Sequence, residues 1–172
     1  VPSPDPAFQN RHVPIASTFI LAKKKGREAW IEAAPDKPSG IVSFEVKCGP
    51  IPARAKSGTK SSGANFICLL SGAAIPAKYI REQSQRGNLG FQLMAVVARV
   101  NGKKTYLSPN KVQAEASKKV PIDEAVSLRF DRDALGFRVG NYGMEDFESL
   151  FTPRQKISLK ALSESIIEVR KE

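Results

Sequence analysis

The sequence predicts an α+β fold, in which antiparallel β-hairpins come first and helices follow toward the C-terminus. Residues 41–47 alternate between apolar and polar side chains, which is typical of a half-buried strand. The pair 101–102 is Asn-Gly, a strong signal for a two-residue hairpin turn. Residues 152–155 read Thr-Pro-Arg-Gln, which predicts a capping box at the start of a helix.

The first part of the chain predicts a loop followed by three strands. Residues 1–16 are rich in proline and polar side chains, as loops are. Residues 17–22 and 28–34 flank a turn that contains Gly26, so we expect a hairpin. The alternating segment 41–47 adds a third strand.

The middle of the chain predicts a long loop, a short strand and a helix. Residues 48–63 are mostly Gly, Pro, Ser and Lys, and loops of this length are usually functional or mobile. Residues 65–70 predict the strand. Residues 76–87 predict the helix, because Pro76 suits its first turn and Gly87 suits the position after its end.

The next segment predicts a buried hairpin and a second helix. Residues 91–100 are the most apolar stretch, so we expect a central strand, with residues 103–107 returning beside it. Ser108 and Pro109 have the pattern of an N-cap and a first helical residue, which predicts a helix from this point.

The C-terminal part predicts two short strands, at 125–130 and 136–139, and one long helix from 153 to about 170. Four apolar residues are expected to form the stripe of this helix: Ile157, Leu162, Ile166 and Val169.

Length and composition are those of a soluble chain of 172 residues. No apolar run approaches the roughly 20 residues of a membrane span. Residues 1–10 show neither a signal pattern nor an initiator Met, so we expect an excised piece of a longer cytoplasmic protein with no membrane partner. Cys48 and Cys68 are too few for a disulfide framework, and we expect reduced thiols.

The net charge of +10 is unevenly distributed. Residues 53–111 contain ten Lys or Arg and one acidic residue, Glu82, whereas residues 120–172 contain eight basic and ten acidic residues. This asymmetry predicts a surface that faces a polyanion. A solvated surface without a partner has the same composition and stays open as an alternative.

Catalytic motifs are missing from the sequence. A methyltransferase acting on an exocyclic amine needs a motif such as Asp/Asn-Pro-Pro-Tyr/Phe, and the nearest match, residues 5–8, lacks the second proline. Neither a glycine-rich dinucleotide motif nor a P-loop is present. His12 is the only histidine and lies in the N-terminal loop, while Asp131 and Asp133 have the character of solvated turn residues. We expect no catalysis by this chain alone.

Residues 68–72, Cys-Leu-Leu-Ser-Gly, have the outline of a zinc knuckle whose second cysteine is Ser71. A structural zinc site needs four ligands, mostly Cys or His, and the chain offers Cys48, Cys68 and His12. We therefore expect no zinc. Gly72 can still take a positive φ and Ser71 can still hydrogen-bond the turn, so the shape of the knuckle can survive without metal.

Four segments carry a resemblance to a known family: residues 17–32, 58–76, 79–98 and 141–155. Together they resemble the large prokaryotic adenine-specific DNA methyltransferases that contain a zinc-ribbon-like insert. The resemblance runs from about residue 4 to the end of the chain. Its most specific pieces are residues 63–72 and 150–155.

The resemblance implies that this chain is the insert or accessory region of a longer methyltransferase. The catalytic and S-adenosylmethionine-binding motifs of that family lie outside the matched piece, so no cofactor is expected here. In the family pattern Phe8 falls near an expected cysteine, Cys68 matches one and Ser71 replaces its partner. The zinc ribbon is therefore expected to be degenerate and metal-free.

Two regions follow from this interpretation. Residues 1–120 form a β-rich, zinc-ribbon-like region with a basic surface, and residues 121–172 link it to the parent protein through short strands and the C-terminal helix. We expect DNA binding through the cations Lys56, Lys60, Arg81, Arg86, Lys103 and Lys104.

The alternative is a protein–protein interaction module that packs on the methyltransferase core or on a defence-system partner without touching DNA. A large exposed apolar patch on the C-terminal helix would favour this alternative, whereas a continuous basic groove would favour DNA.

Overall fold

A computed structural model describes residues 1–117, 128–130 and 138–170. The chain divides into two compact units, Val1–Lys111 and Val112–Glu172. Helices and antiparallel strands occur together, so the predicted α+β class is confirmed. The predicted boundary at residue 120 lies outside the described residues and stays a prediction.

A three-stranded antiparallel sheet opens the first unit, with β1 (Ile20–Ala22), β2 (Ala29–Asp36) and β3 (Ile41–Cys48) in that order. Ile41 is 55% exposed and its neighbour Val42 only 3%. Because successive side chains of a strand point to opposite faces, this difference confirms the alternation predicted for β3.

One core cluster of this unit consists of Phe19, Trp30, Ile31 and Ala55. Ala55 belongs to a short helix, α1 (Ala53–Ser57), where we predicted only loop. That prediction was wrong for these residues. A helix of five residues has little stability of its own, so packing of Ala55 in the core, rather than a sequence signal, explains its formation.

The next elements form a small hairpin and a helix. Strand β4 (Phe66–Ile67) pairs with β5 (Ala74–Ile75), which we did not predict. Helix α2 (Ala77–Gln85) lies within the predicted range. The Asn65 side chain accepts a hydrogen bond from the backbone N–H of Ala77 at 3.1 Å, and so satisfies a helix N-terminal donor that Pro76 cannot cap.

Strands β6 (Val96–Val100) and β7 (Lys103–Leu107) form a separate two-stranded ribbon. Asn101 and Gly102 both have positive φ, 49° and 74°, which confirms the predicted hairpin turn. The prediction of a buried central strand was wrong, because Val97 and Val100 are about half exposed. In the described structure each strand of the ribbon pairs only with the other.

The predicted N-cap at Ser108 was also wrong. Helix α3 (Lys111–Ala116) begins two residues beyond Pro109. The Ser108 hydroxyl instead accepts a hydrogen bond from the backbone N–H of Val46 in β3, at 2.8 Å. This contact ties the end of the ribbon to the three-stranded sheet.

The second unit contains two 3₁₀ helices, Arg138–Tyr142 and Glu148–Leu150, and the long helix α4 (Pro153–Val169). Thr152 and Gln155 form the predicted capping box. The hydroxyl of Thr152 accepts from the N–H of Gln155, and the Gln155 side chain accepts from the N–H of Thr152 at 2.8 Å.

Only parts of the two strands predicted at 125–130 and 136–139 are described. Arg129 forms a single β-bridge with Asp146, whereas Arg138 and Val139 begin a 3₁₀ helix rather than a strand. The remaining residues of both segments, and the predicted turn residues Asp131 and Asp133, lie outside the described residues.

The apolar stripe predicted for α4 needs one correction. Ile157 precedes Leu162 by five residues, which at 3.6 residues per turn places it well off that face. Leu159 takes its place, so the stripe is Leu159, Leu162, Ile166 and Val169, and all four are 49–71% exposed. Within the part of the chain that is described, no helix combines the length and apolarity that crossing a membrane requires.

Candidate nucleic-acid interface

Cys68 lies in a tight turn between β4 and β5. Its N–H donates to the carbonyl of Ala73, and its carbonyl accepts from the N–H of Gly72 at 2.8 Å. Gly72 has a φ of 79°, which a residue with a Cβ rarely adopts. The turn therefore has the glycine-dependent geometry that the sequence predicted for a knuckle.

The N-terminal segment closes over this turn. The Cys68 thiol is fully buried and forms a hydrogen bond of 3.4 Å with the hydroxyl of Ser3. Ser3 and Ser71 each accept a backbone N–H from two residues further along the chain, at 3.3 and 3.2 Å. The N-terminal residue that contacts Cys68 is therefore Ser3. The family pattern instead places Phe8 near an expected cysteine.

Hydrogen bonds change the acidity of the buried thiol. Burial raises the pKa of Cys68, but hydrogen bonds from Ser3, from Ser71 and from the backbone of Leu70 lower it, and the pKa lies below its usual value. No group of three or more His, Cys, Asp or Glu side chains suited to a metal ion occurs among residues 1–117, 128–130 and 138–170. Two hydroxyls, those of Ser3 and Ser71, accompany the thiol.

A cleft of about 370 Å³ includes His12, Phe44, Phe91 and Met94 in its wall. Burial, with a smaller contribution from the N-terminal charge, lowers the pKa of His12. No other side chain that lines the cleft is titratable. Beside His12 the wall of the cleft also carries the N-terminal amine of Val1, whose pKa is lowered by burial, but no carboxylate or thiol side chain.

The predicted DNA-binding cations occupy three local pairs. Lys56 lies in α1 and Lys60 shortly after it, Arg81 and Arg86 lie in and just after α2, and Lys103 and Lys104 begin β7. Five of these side chains are exposed, and Arg81 is half-buried, although we expected it on the surface. As far as the structure is described, none of the six forms a salt bridge.

Arg54, in the same unit, is a cation whose charge is paired within the fold. Its guanidinium lies 2.6 Å from the carboxylate of Glu32 and 5.2 Å from the centre of the Trp30 ring. Its charge is therefore already matched by an acid and an aromatic face. The six predicted cations carry no such carboxylate partner within the described residues, which leaves their charge available to an anion.

Three residues of the ribbon, Val97, Arg99 and Tyr106, were not among the predicted site residues. Arg99 lies directly opposite Lys104, and Val97 opposite Tyr106, so all four side chains share one face. The Lys104 ammonium lies 5.4 Å from the centre of the Tyr106 ring. The register follows from a two-residue turn at 101–102, so the Asn-Gly signal was sufficient to pair Arg99 with Lys104.

Another basic group was also not among the predicted site residues. Lys23, Lys24 and Lys25 are exposed in the turn between β1 and β2. The run of three lysines was visible in the sequence, but it lies outside the segment 53–111 in which the charge excess was counted.

No protein-family model matches the chain, and neither curated proteins nor solved structures show significant similarity to it. The charges and contacts of the chain itself are therefore the basis for assigning a function.

Proposed function

We propose that this chain is the accessory, DNA-recognition region of an adenine-specific DNA methyltransferase and binds duplex DNA through the basic surface of its first unit. One observation carries the proposal. The unit Val1–Lys111 contains seventeen Lys or Arg against six Asp or Glu, whereas Val112–Glu172 contains ten against eleven. The charge excess thus belongs to one folded unit.

The exposure of these cations and their lack of salt bridges within the described residues support binding to an anion rather than a structural role. The six predicted cations form no salt bridge within the described residues, and five of them are exposed. Exposed Lys and Arg bind phosphates by releasing condensed counterions, which gives affinity without sequence preference. The chain then holds the duplex while the parent enzyme supplies the catalytic and S-adenosylmethionine-binding residues, in the cytoplasm.

Fluorescence anisotropy of a labelled duplex at several salt concentrations tests the proposal. If about six phosphates are contacted, the logarithm of the binding constant should fall with the logarithm of the salt concentration with a slope of roughly −5, since about 0.9 counterions are released per contact. The absence of binding at low salt would remove the proposal.

An exposed apolar surface in the second unit supports a second candidate function. An apolar stripe on α4 consists of Leu159, Leu162, Ile166 and Val169. Even Leu159, the least exposed of the four, is 49% exposed. Exposed apolar stripes of this kind are typical of protein-binding surfaces. We therefore keep the interaction module as the alternative, with the remainder of the parent methyltransferase as the partner.

Co-purification with the rest of the parent chain separates the two functions. The variant Ile166→Glu places a charge on the stripe and should abolish co-purification if α4 docks there. Ala161→Glu adds the same charge away from the stripe and serves as the matched control. Equal recovery of both variants would rule out docking through this face.

A further inference from the structure

The β6–β7 ribbon is fixed at its base. Met94 and Ala95, just before β6, pack against the core cluster that contains Trp30 and Ala55. Just after β7, the Ser108 hydroxyl accepts the hydrogen bond from Val46 in β3. An isolated two-stranded hairpin is marginally stable in water, so these two attachments explain how the ribbon keeps its position on the first unit.

The far end of the ribbon is exposed and strongly basic. Arg99, Lys103 and Lys104 lie within two residues of the turn, all three are exposed, and none has a salt bridge in the described structure. Arg99 and Lys104 are direct cross-strand neighbours. Like charges in this position destabilise a hairpin, and an anionic ligand would remove that repulsion.

Apolar side chains accompany the cations on this exposed ribbon. Val97, Val100 and Leu107 are 53%, 49% and 43% exposed. Val97 shares a face with Arg99, Lys104 and Tyr106, whereas Val100 and Leu107 lie on the opposite face with Lys103. Both faces therefore combine a positive charge with apolar surface.

We propose that the β6–β7 ribbon enters the major groove of duplex DNA, with Arg99 and Lys104 contacting phosphates or guanine edges; this inference rests on the proposed DNA-binding function. The major groove is about 12 Å wide and 8.5 Å deep and admits a two-stranded ribbon. Five residues per strand at about 3.4 Å each give a reach of about 17 Å, which is sufficient for that depth.

The composition of the ribbon fits this groove in two respects. Arg and Lys are the usual partners of guanine O6 and N7, and apolar side chains contact the thymine methyl group. The major groove of A-form RNA is deep and narrow, and side chains cannot read it. The occupant is therefore duplex DNA, and double-stranded RNA of the same sequence should be bound more weakly.

The test compares a plain duplex with a duplex of the same sequence in which glucosylated 5-hydroxymethylcytosine fills the major groove. Anisotropy titrations use the full chain, the variant Arg99→Gln/Lys104→Gln, and the matched control Lys23→Gln/Lys25→Gln. The control removes two exposed charges from the turn between β1 and β2 instead. All four side chains are exposed, and thermal unfolding of each variant checks that the fold is kept.

The wild-type chain should bind the filled duplex roughly tenfold more weakly, the size expected for loss of one good base contact. The ribbon variant should lose this discrimination, and the control should keep it. Equal binding of both duplexes by the wild-type chain overturns only the assignment of the ribbon to the major groove. The cations of the ribbon would then serve to prevent edge-to-edge association of its strands. No binding of any duplex overturns the proposed function as well.

Discussion

The polar side chains of Ser3, Cys68 and Ser71 are paired by hydrogen bonds at one turn. The buried thiol of Cys68 is 3.4 Å from the hydroxyl of Ser3, and each serine hydroxyl accepts a nearby backbone N–H. Buried polar groups that are paired in this way carry no large desolvation penalty. The turn therefore needs no metal ion to satisfy its polar atoms.

Introducing sulfur at the positions of Ser3 and Ser71 should create a metal site beside Cys68. We expect the purified wild-type chain to contain well under one zinc per molecule, because Cys68 is accompanied by hydroxyls rather than thiolates. The variant Ser3→Cys/Ser71→Cys presents three thiols at one place, and Co²⁺ should produce sulfur-to-metal charge-transfer absorption in it.

The control for this experiment is Ser39→Cys/Ser43→Cys, which adds two thiols away from Cys68. It should show no Co²⁺ absorption. A stoichiometric zinc in the wild-type chain that survives dialysis against a chelator would contradict the metal-free interpretation.

At the level of elements, three local signals were confirmed, whereas the Ser108 N-cap and the predictions that depend on tertiary packing were wrong. The Asn-Gly turn, the β3 alternation and the Thr152 capping box each depend on a few neighbouring residues, and all three are confirmed. Helix α1 was missed because Ala55 is held by the core. The ribbon was taken as buried because apolar content does not reveal whether another layer covers a strand.

The capping box of α4 should contribute measurable stability. In Thr152→Ala the N–H of Gln155 loses its acceptor, so we expect a loss of about 1 kcal/mol in helix stability and a lower helical signal in circular dichroism. Ser163→Ala, an exposed change in the interior of the same helix, should leave the signal unchanged or raise it. Equal effects of the two changes would show that the cap does not stabilise α4.

At the scale of the whole molecule, the sequence predicted a basic surface but not its arrangement. The six predicted cations lie in or shortly after three elements, and Arg81 is half-buried rather than exposed. Arg99 was overlooked because charge counting ignores strand register. The pairing of Arg99 with Lys104 becomes visible only when the hairpin is built.

The absence of catalytic motifs leads to a prediction for the isolated chain. It should neither bind S-adenosylmethionine nor transfer a methyl group, since it has no glycine-rich cofactor motif and its one histidine lines a cleft without another titratable side chain. Calorimetric titration with the cofactor measures this directly. Micromolar affinity would show that the chain has a cofactor site of its own.

A charge-matched pair of variants tests whether the first unit binds DNA through its basic surface. One variant replaces Lys60, Arg81, Arg86 and Lys103 with Ala. The other replaces four exposed cations of the second unit with Ala, namely Arg129, Arg138, Arg154 and Arg170. Both lose the same net charge, so a difference between them reports the location of the binding surface.

Anisotropy over a series of salt concentrations gives the slope for each protein. The first variant should flatten the wild-type slope by about 3 to 4 units, since each lost phosphate contact removes about 0.9, and the second should leave it unchanged. Equal slopes for the wild-type chain and the first variant would contradict the account, and the interaction module would then replace DNA recognition as the function of this chain.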